Sequence, residues 1–176
     1  GIVQQEDFET TIDLDVDAYI PPRYIPNEYQ KLDIYKRIAG IENEEEYEDM
    51  MEELLDRFGE PPKSVQNLLA IANMKALAHR VYVKEIKQSG TDVKLYLFER
   101  AKINPAGFPT VLEKNSKTMT MRMDGQPYFM ISLKGRRPKE VYSVFDIVPG
   151  ILHDFEELLE EEQKESSQKI PCPGVE

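Results

Sequence analysis

Four carboxylates, Asp49, Glu52, Glu53 and Asp56, stand at i, i+3, i+4 and i+7 within a stretch of helical periodicity, so they share one stripe of a helix. No lysine or arginine is expected to pair them, and like charges at this spacing cost a few tenths of a kcal/mol per pair. The stripe is either a solvated face or a docking surface whose repulsion an arginine-bearing partner would relieve. Other residues able to do chemistry are few. The two histidines, His79 and His153, have no second His or Cys at metal-ligand spacing, which argues against a metal site. His153 precedes Asp154, Glu156 and Glu157, so a small hydrolase or transferase using carboxylates near it stays open as an alternative. Cys172, the only cysteine, lies between prolines and reads as neither a disulfide partner nor a good nucleophile. Gly59-Glu60-Pro61-Pro62-Lys63-Ser64 has some residues of a phosphate loop, but its prolines remove the amides that would cradle phosphate. The patterns G-x-x-x-x-G-K-[ST], G-x-G-x-x-G and G-x-S-x-G are absent. The runs Glu44-Glu45-Glu46 and Glu160-Glu161-Glu162 read as solvated, whereas acid–base catalysis needs two carboxyls in different environments. No catalytic residue and no cofactor are therefore expected.

The elements that must position the acidic stripe follow from periodicity. Ile12, Leu14, Val16 and Ala18 alternate with Asp13, Asp15 and Asp17, which predicts a strand ending at Pro21-Pro22. Asn27 is placed to cap a helix with an apolar face of Leu32, Ile34, Tyr35 and Ile38, stopped by Gly40. A second helix runs from about Glu44 to Arg57, with Tyr47, Met50, Met51, Leu54, Leu55 and Phe58 as its apolar stripe opposite the four acids. A third, starting near Pro62 or Ser64, is apolar around most of its girth and reads as the core helix. Val81–Gln88 and Val93–Phe98 predict one hairpin about Gly90, and Thr118–Met123 and Tyr128–Leu133 a second about Asp124-Gly125. Between them, Gly107 and Pro109 weaken a helix over Asn104–Asn115. Helical spacing returns from Pro138 to about Glu162, with Pro149-Gly150 as an expected kink or break.

The expected class is α+β: an N-terminal strand and three helices, central antiparallel hairpins, and a C-terminal helix. Residues 1–10 read as a flexible linker or tag remnant, 11–162 as a single domain, and 163–176 as a disordered tail. The 176 residues leave no room for two independent enzyme domains. The first residue is Gly, as in a fragment of something longer. The formal net charge of -11, from 33 acids against 22 bases, disfavours a phosphate backbone and favours a basic partner. No leader and no membrane-length apolar run stand out, so the chain reads as cytoplasmic.

Certain residues carry a resemblance. Ala18-Tyr19-Ile20-Pro21, Tyr24-Ile25-Pro26, Leu32 with Tyr35-Lys36-Arg37-Ile38, then Glu53-Leu54-Leu55-Asp56-Arg57-Phe58-Gly59 with Pro61-Pro62 and Leu68-Leu69 occur in order over about residues 14–80. Together they resemble the C-terminal (TRCF) domain of bacterial transcription-repair coupling factors. Asn27 and Gln30 depart from that pattern at surface-type positions. The resemblance implies a parent protein that is an ATP-driven DNA translocase, removing stalled RNA polymerase and recruiting nucleotide excision repair through UvrA. It implies that ATP and Mg belong to the parent's motor domains, with no cofactor here. It further implies a regulatory clamp that packs on the N-terminal UvrB-like domain, masks the UvrA-binding surface, and itself touches neither nucleic acid nor membrane. Glu53 and Asp56 match the acids that make this contact with arginines, and Asp49 and Glu52 extend the same stripe. A free-standing acidic adaptor is the other alternative.

Overall fold

Residues 8–160 are described by the structure, a computed structural model. They divide into two compact units, one of residues 14–77 and the other of residues 8–13 and 78–160. The helical unit contains α1 (Glu28–Ala39), α2 (Glu44–Phe58) and most of α3 (Lys63–Arg80). Asparagine side chains start the first two helices: Asn27 accepts the Gln30 N–H at 3.0 Å, and Asn43 accepts the Glu46 N–H at 2.8 Å. Each satisfies a first-turn amide that has no partner inside its helix. Gly59 ends α2 with φ +84°, a conformation a side chain would strain.

The core of this unit joins Ile20 and Ile25 of the extended lead-in to Ile34 and Ile38 of α1, Met50 and Leu54 of α2, and Val65 and Leu69 of α3. Tyr24 and Tyr35 tie the lead-in to the helices. The Tyr35 hydroxyl accepts the Ile20 N–H at 2.7 Å, and the Tyr24 hydroxyl lies 2.8 Å from the Gly59 carbonyl and 3.2 Å from that of Leu54. Two expected core positions are on the surface instead. Leu32 is 54% exposed and Leu55 49%, because each sits beside the buried stripe of its helix rather than on it. Phe58 is half-buried, with the Arg57 guanidinium 4.9 Å from its ring centre.

The second unit is built on a five-stranded sheet of order β1-β2-β3-β5-β4, with β1 Thr11–Asp13, β2 Val83–Ser89, β3 Asp92–Leu97, β4 Met119–Arg122 and β5 Tyr128–Ser132. The two predicted hairpins are present as antiparallel pairs, while β1 runs parallel to β2, a pairing that needs a long connection between the strands. The expected first strand shortens to three residues. Leu14, Val16 and Ala18 do continue the alternation of half-buried and exposed positions, but without a partner strand. One-sided burial alone gives that pattern.

A short 3-10 turn, Pro105–Gly107, and α4 (Phe108–Lys114) form where Gly107 and Pro109 argued against a helix. Pro109 falls in the first turn of α4, where a missing N–H costs nothing. The last helix, α5 (Val144–Glu156), starts later than expected and passes through Pro149 without breaking. Val144, Val148, Ile151, Leu152 and Phe155 form one buried stripe spanning the proline, so packing outweighs the single backbone bond that Pro149 removes. The expected linker is packed at its end: Phe8 stacks on His79 and Phe98 at 4.4 and 4.6 Å, and Thr10 is buried with its hydroxyl 2.8 Å from the Val83 carbonyl. The expected tail, 163–176, lies outside the described residues.

Candidate functional site

Helix α2 holds Asp49, Glu52, Glu53 and Asp56 on the side away from Met50 and Leu54. Asp49, Glu52 and Asp56 are exposed, and none has an ion pair among the described residues. Glu53 differs, and here the expectation of an unpaired stripe is corrected. Its carboxylate takes both terminal nitrogens of Arg37 from α1, one of them at 2.7 Å, and also Nη1 of Arg57 one turn later at 2.9 Å. The two arginines make Glu53 the internal latch between α1 and α2. Arg57 was visible in the sequence as an i+4 partner, in the favourable order of acid before base. Arg37 was not, because only the turn between α1 and α2 brings residues sixteen apart into contact.

This clamp has an electrostatic consequence. The hydrogen bonds from Arg37, then those from Arg57 and the two positive charges, outweigh partial burial and hold the Glu53 carboxyl down to about 2, from an ordinary 4.5. A depressed acid adds stability that is present above its unfolded value and is lost as pH falls through the folded one. The side chain is 32% exposed, so screening limits the contribution to about 1 kcal/mol. Melting curves should therefore show wild type more stable than Glu53→Gln near neutrality, with the gap closing as pH drops from about 4.5 toward 2. A gap independent of pH would remove the latch.

The surface around the acids is not purely polar. Leu55, directly before Asp56 in α2, is 49% exposed. Exposed apolar groups next to unpaired charge suit a contact with another surface, with the apolar groups supplying area and the charges register.

At the alternative centre, the structure pairs His153 with one of the nearby carboxylates. His153 Nδ1 lies 2.7 Å from Glu156 on an exposed helix face, while Asp154 turns to Lys114 at 2.6 Å and to Asn115 at 3.1 Å. His79 stacks on Phe8. Among the described residues no group of three or more His, Cys, Asp or Glu side chains is placed to hold a metal ion. The Gly59–Ser64 segment leads into α3, with the Gln66 amide donating to the Pro61 carbonyl at 2.9 Å. No helix among the described residues is long and apolar enough to cross a membrane.

Comparison with known proteins locates these features. The family model of the TRCF domain matches residues 14–108, which include all four acids and both arginines of the latch. The chain is 44% identical over 96 residues to the transcription-repair-coupling factor of Bacillus subtilis, a match over 54% of this chain and 8% of that protein. With the factor of the same name from Staphylococcus aureus (strain USA300) it shares 31% identity over 137 residues, 72% of this chain and 12% of that one. The chain thus spans about a tenth of the length of these relatives. A crystal structure of the C-terminal domain of a transcription-repair coupling factor superposes with a TM-score of 0.71 at 28% identity, covering 91% of this chain and 97% of the other.

Proposed function

Since the chain belongs to the TRCF domain family, the C-terminal domain of transcription-repair coupling factors, we propose that it acts as a non-catalytic regulatory clamp. In this reading it packs on the N-terminal UvrB-like domain of its own parent protein and masks the surface that UvrA would bind. The parent supplies ATP- and Mg-dependent translocation on DNA, the contact with stalled RNA polymerase, and the recruitment of excision repair. None of these is assigned to this chain, whose sequence has no glycine-rich phosphate loop.

The observation that carries the reading is the division of labour on α2. Glu53 is spent on the latch that fixes α1 against α2, and Asp49, Glu52 and Asp56 remain as exposed carboxylates beside the exposed Leu55. Such a face attracts arginines and gains by burying them. The hydrolase alternative is less favoured, since Asp154 is bound to Lys114 and Asn115, and the His153–Glu156 pair lies on an exposed helix face.

The test mixes the purified 176-residue chain with the N-terminal domain of its parent and follows association by titration calorimetry. Binding that weakens as salt rises, together with greater UvrA capture by a parent protein lacking this chain, is the expected result. UvrA capture unaffected by deletion would remove the masking role, and ATP turnover by the chain alone would remove the non-catalytic one.

A further inference from the structure

We propose that the open face of the five-stranded sheet is a platform for single-stranded nucleic acid, a function separate from the clamp. Val93, Leu95, Phe129 and Ile131 point into the core, so the alternation of the strands sends Lys94 and Tyr96 of β3 and Tyr128 and Met130 of β5 to the other side. There Lys94, Tyr96 and Met130 line an open groove of about 480 Å³ together with Lys87 and Glu85 of β2, and Tyr128 packs against Tyr96 beside it. Three features of this groove point to one ligand chemistry.

The first is aromatic. The Tyr96 and Tyr128 rings lie side by side, 5.3 Å apart, half-exposed on a rigid strand pair. Half-exposed rings on a sheet offer faces on which unpaired bases stack regardless of sequence. The second is cationic. Lys87 and Lys94 stand directly opposite each other across β2 and β3, with Asp13 of β1 in register on the far side of Lys87, so the row holds two cations to one carboxylate and Lys94 is the cation farther from that acid. Lys94 also lies 5.3 Å from the Tyr128 ring, and Arg122, opposite Tyr128 on β4, is exposed without an ion pair among the described residues. This sheet face thus places a lysine next to a ring face, as a phosphate and its base require.

The third is the distribution of charge. The chain as a whole carries -11, yet from Arg80 to Lys139 it has thirteen Lys and Arg against five Asp and Glu. At physiological salt, charges beyond about 8–10 Å are largely screened, so the groove responds to its own surroundings and not to the net charge. Glu85 and Asp92 border the groove and keep its affinity modest. A duplex, with its bases stacked inside, cannot use the rings.

The 176-residue chain is titrated into a fluorescein-labelled oligothymidylate of about 12 nucleotides, and anisotropy is read at about 50 and 200 mM salt. Saturable binding with Kd of about 1–100 µM is expected at the lower salt, weakening about 7-fold at the higher as two lysine–phosphate contacts are lost. A duplex of the same length should bind at least about 10-fold more weakly. Tyr96→Leu with Tyr128→Leu should weaken binding by at least about 5-fold, and the two Tyr→Phe changes should leave it within about 2-fold. Should the leucine variant melt early, Lys87→Glu with Lys94→Glu decides on surface residues alone, and loss of binding is expected. The proposal fails if wild type does not saturate, if the lysine reversal leaves Kd unchanged, if duplex binds equally well, or if an oligoglutamate peptide binds as tightly, which would assign the face to acidic protein segments.

Discussion

Exchanging Glu52 and Asp56 for lysine is expected to weaken the proposed contact with the N-terminal domain by about 30-fold to more than 1000-fold, with little change in melting temperature. Removing one partner of a desolvated charge pair costs ~2–5 kcal/mol, and a lysine set against an arginine adds repulsion. Neither side chain has an ion pair to lose within the described residues, and exposed substitutions change stability by no more than ~0.5 kcal/mol. A clamp held shut by a few kcal/mol would then be mostly open. The parent protein with both changes should capture more UvrA than wild type at matched folding. Equal capture, with equal affinity for the N-terminal domain, would leave the acids as a solvated face.

Glu53 should behave differently, although it lies on the same stripe. Glu53→Lys would put a third cation beside Arg37 and Arg57 and break the bond between α1 and α2, so a lower melting temperature is expected along with any loss of binding. Comparing the two variants separates the acid that builds the surface from the acids that present charge on it.

That distinction also marks how far the sequence could be read. Asn27, Gly59, Gly90 and the apolar spacing of α2 and α3 are local signals, and they place the helices and hairpins well. The stripe of acids is local as well, since it needs only helical periodicity. What depends on two distant segments meeting was not legible: Arg37 against Glu53, the parallel pairing of Thr11–Asp13 with Glu85–Lys87, and the Tyr96–Tyr128 pair over opposed lysines. Leu32 and Leu55 were misplaced for a related reason. At the margin of an amphipathic stripe, about 100° per residue is too coarse to tell a core position from a surface position, and the neighbouring helix decides. Pro149-Gly150 reads as a kink or break because the local cost of the proline is plain, whereas the buried stripe of Val148, Ile151 and Leu152 that overrides it becomes visible only in the packed fold.

The largest loss of stability is expected from Phe129→Ala. Phe129 is 1% exposed, and its ring meets those of Phe108 and Phe155, each at 5.3 Å, so it joins β5 to α4 and α5 at one point. Truncating a buried phenylalanine costs ~3–5 kcal/mol, and two aromatic contacts vanish with the ring while Leu95 and Ile131 on the same sheet face cannot close the gap without bending their strands. At ~2–4 °C per kcal/mol for a chain of this size, the transition should fall by roughly 6–20 °C. Phe129→Leu, which keeps much of the volume, should cost clearly less. Because Phe129 anchors β5 between Tyr128 and Met130, it also keeps these two turned to the open face, so the alanine variant should lose oligonucleotide binding at temperatures where it is still folded but loosened. Calorimetry of the three proteins checks the first part, and a shift of the alanine variant below about 3 °C would show that the three-ring cluster is not the keystone of this core.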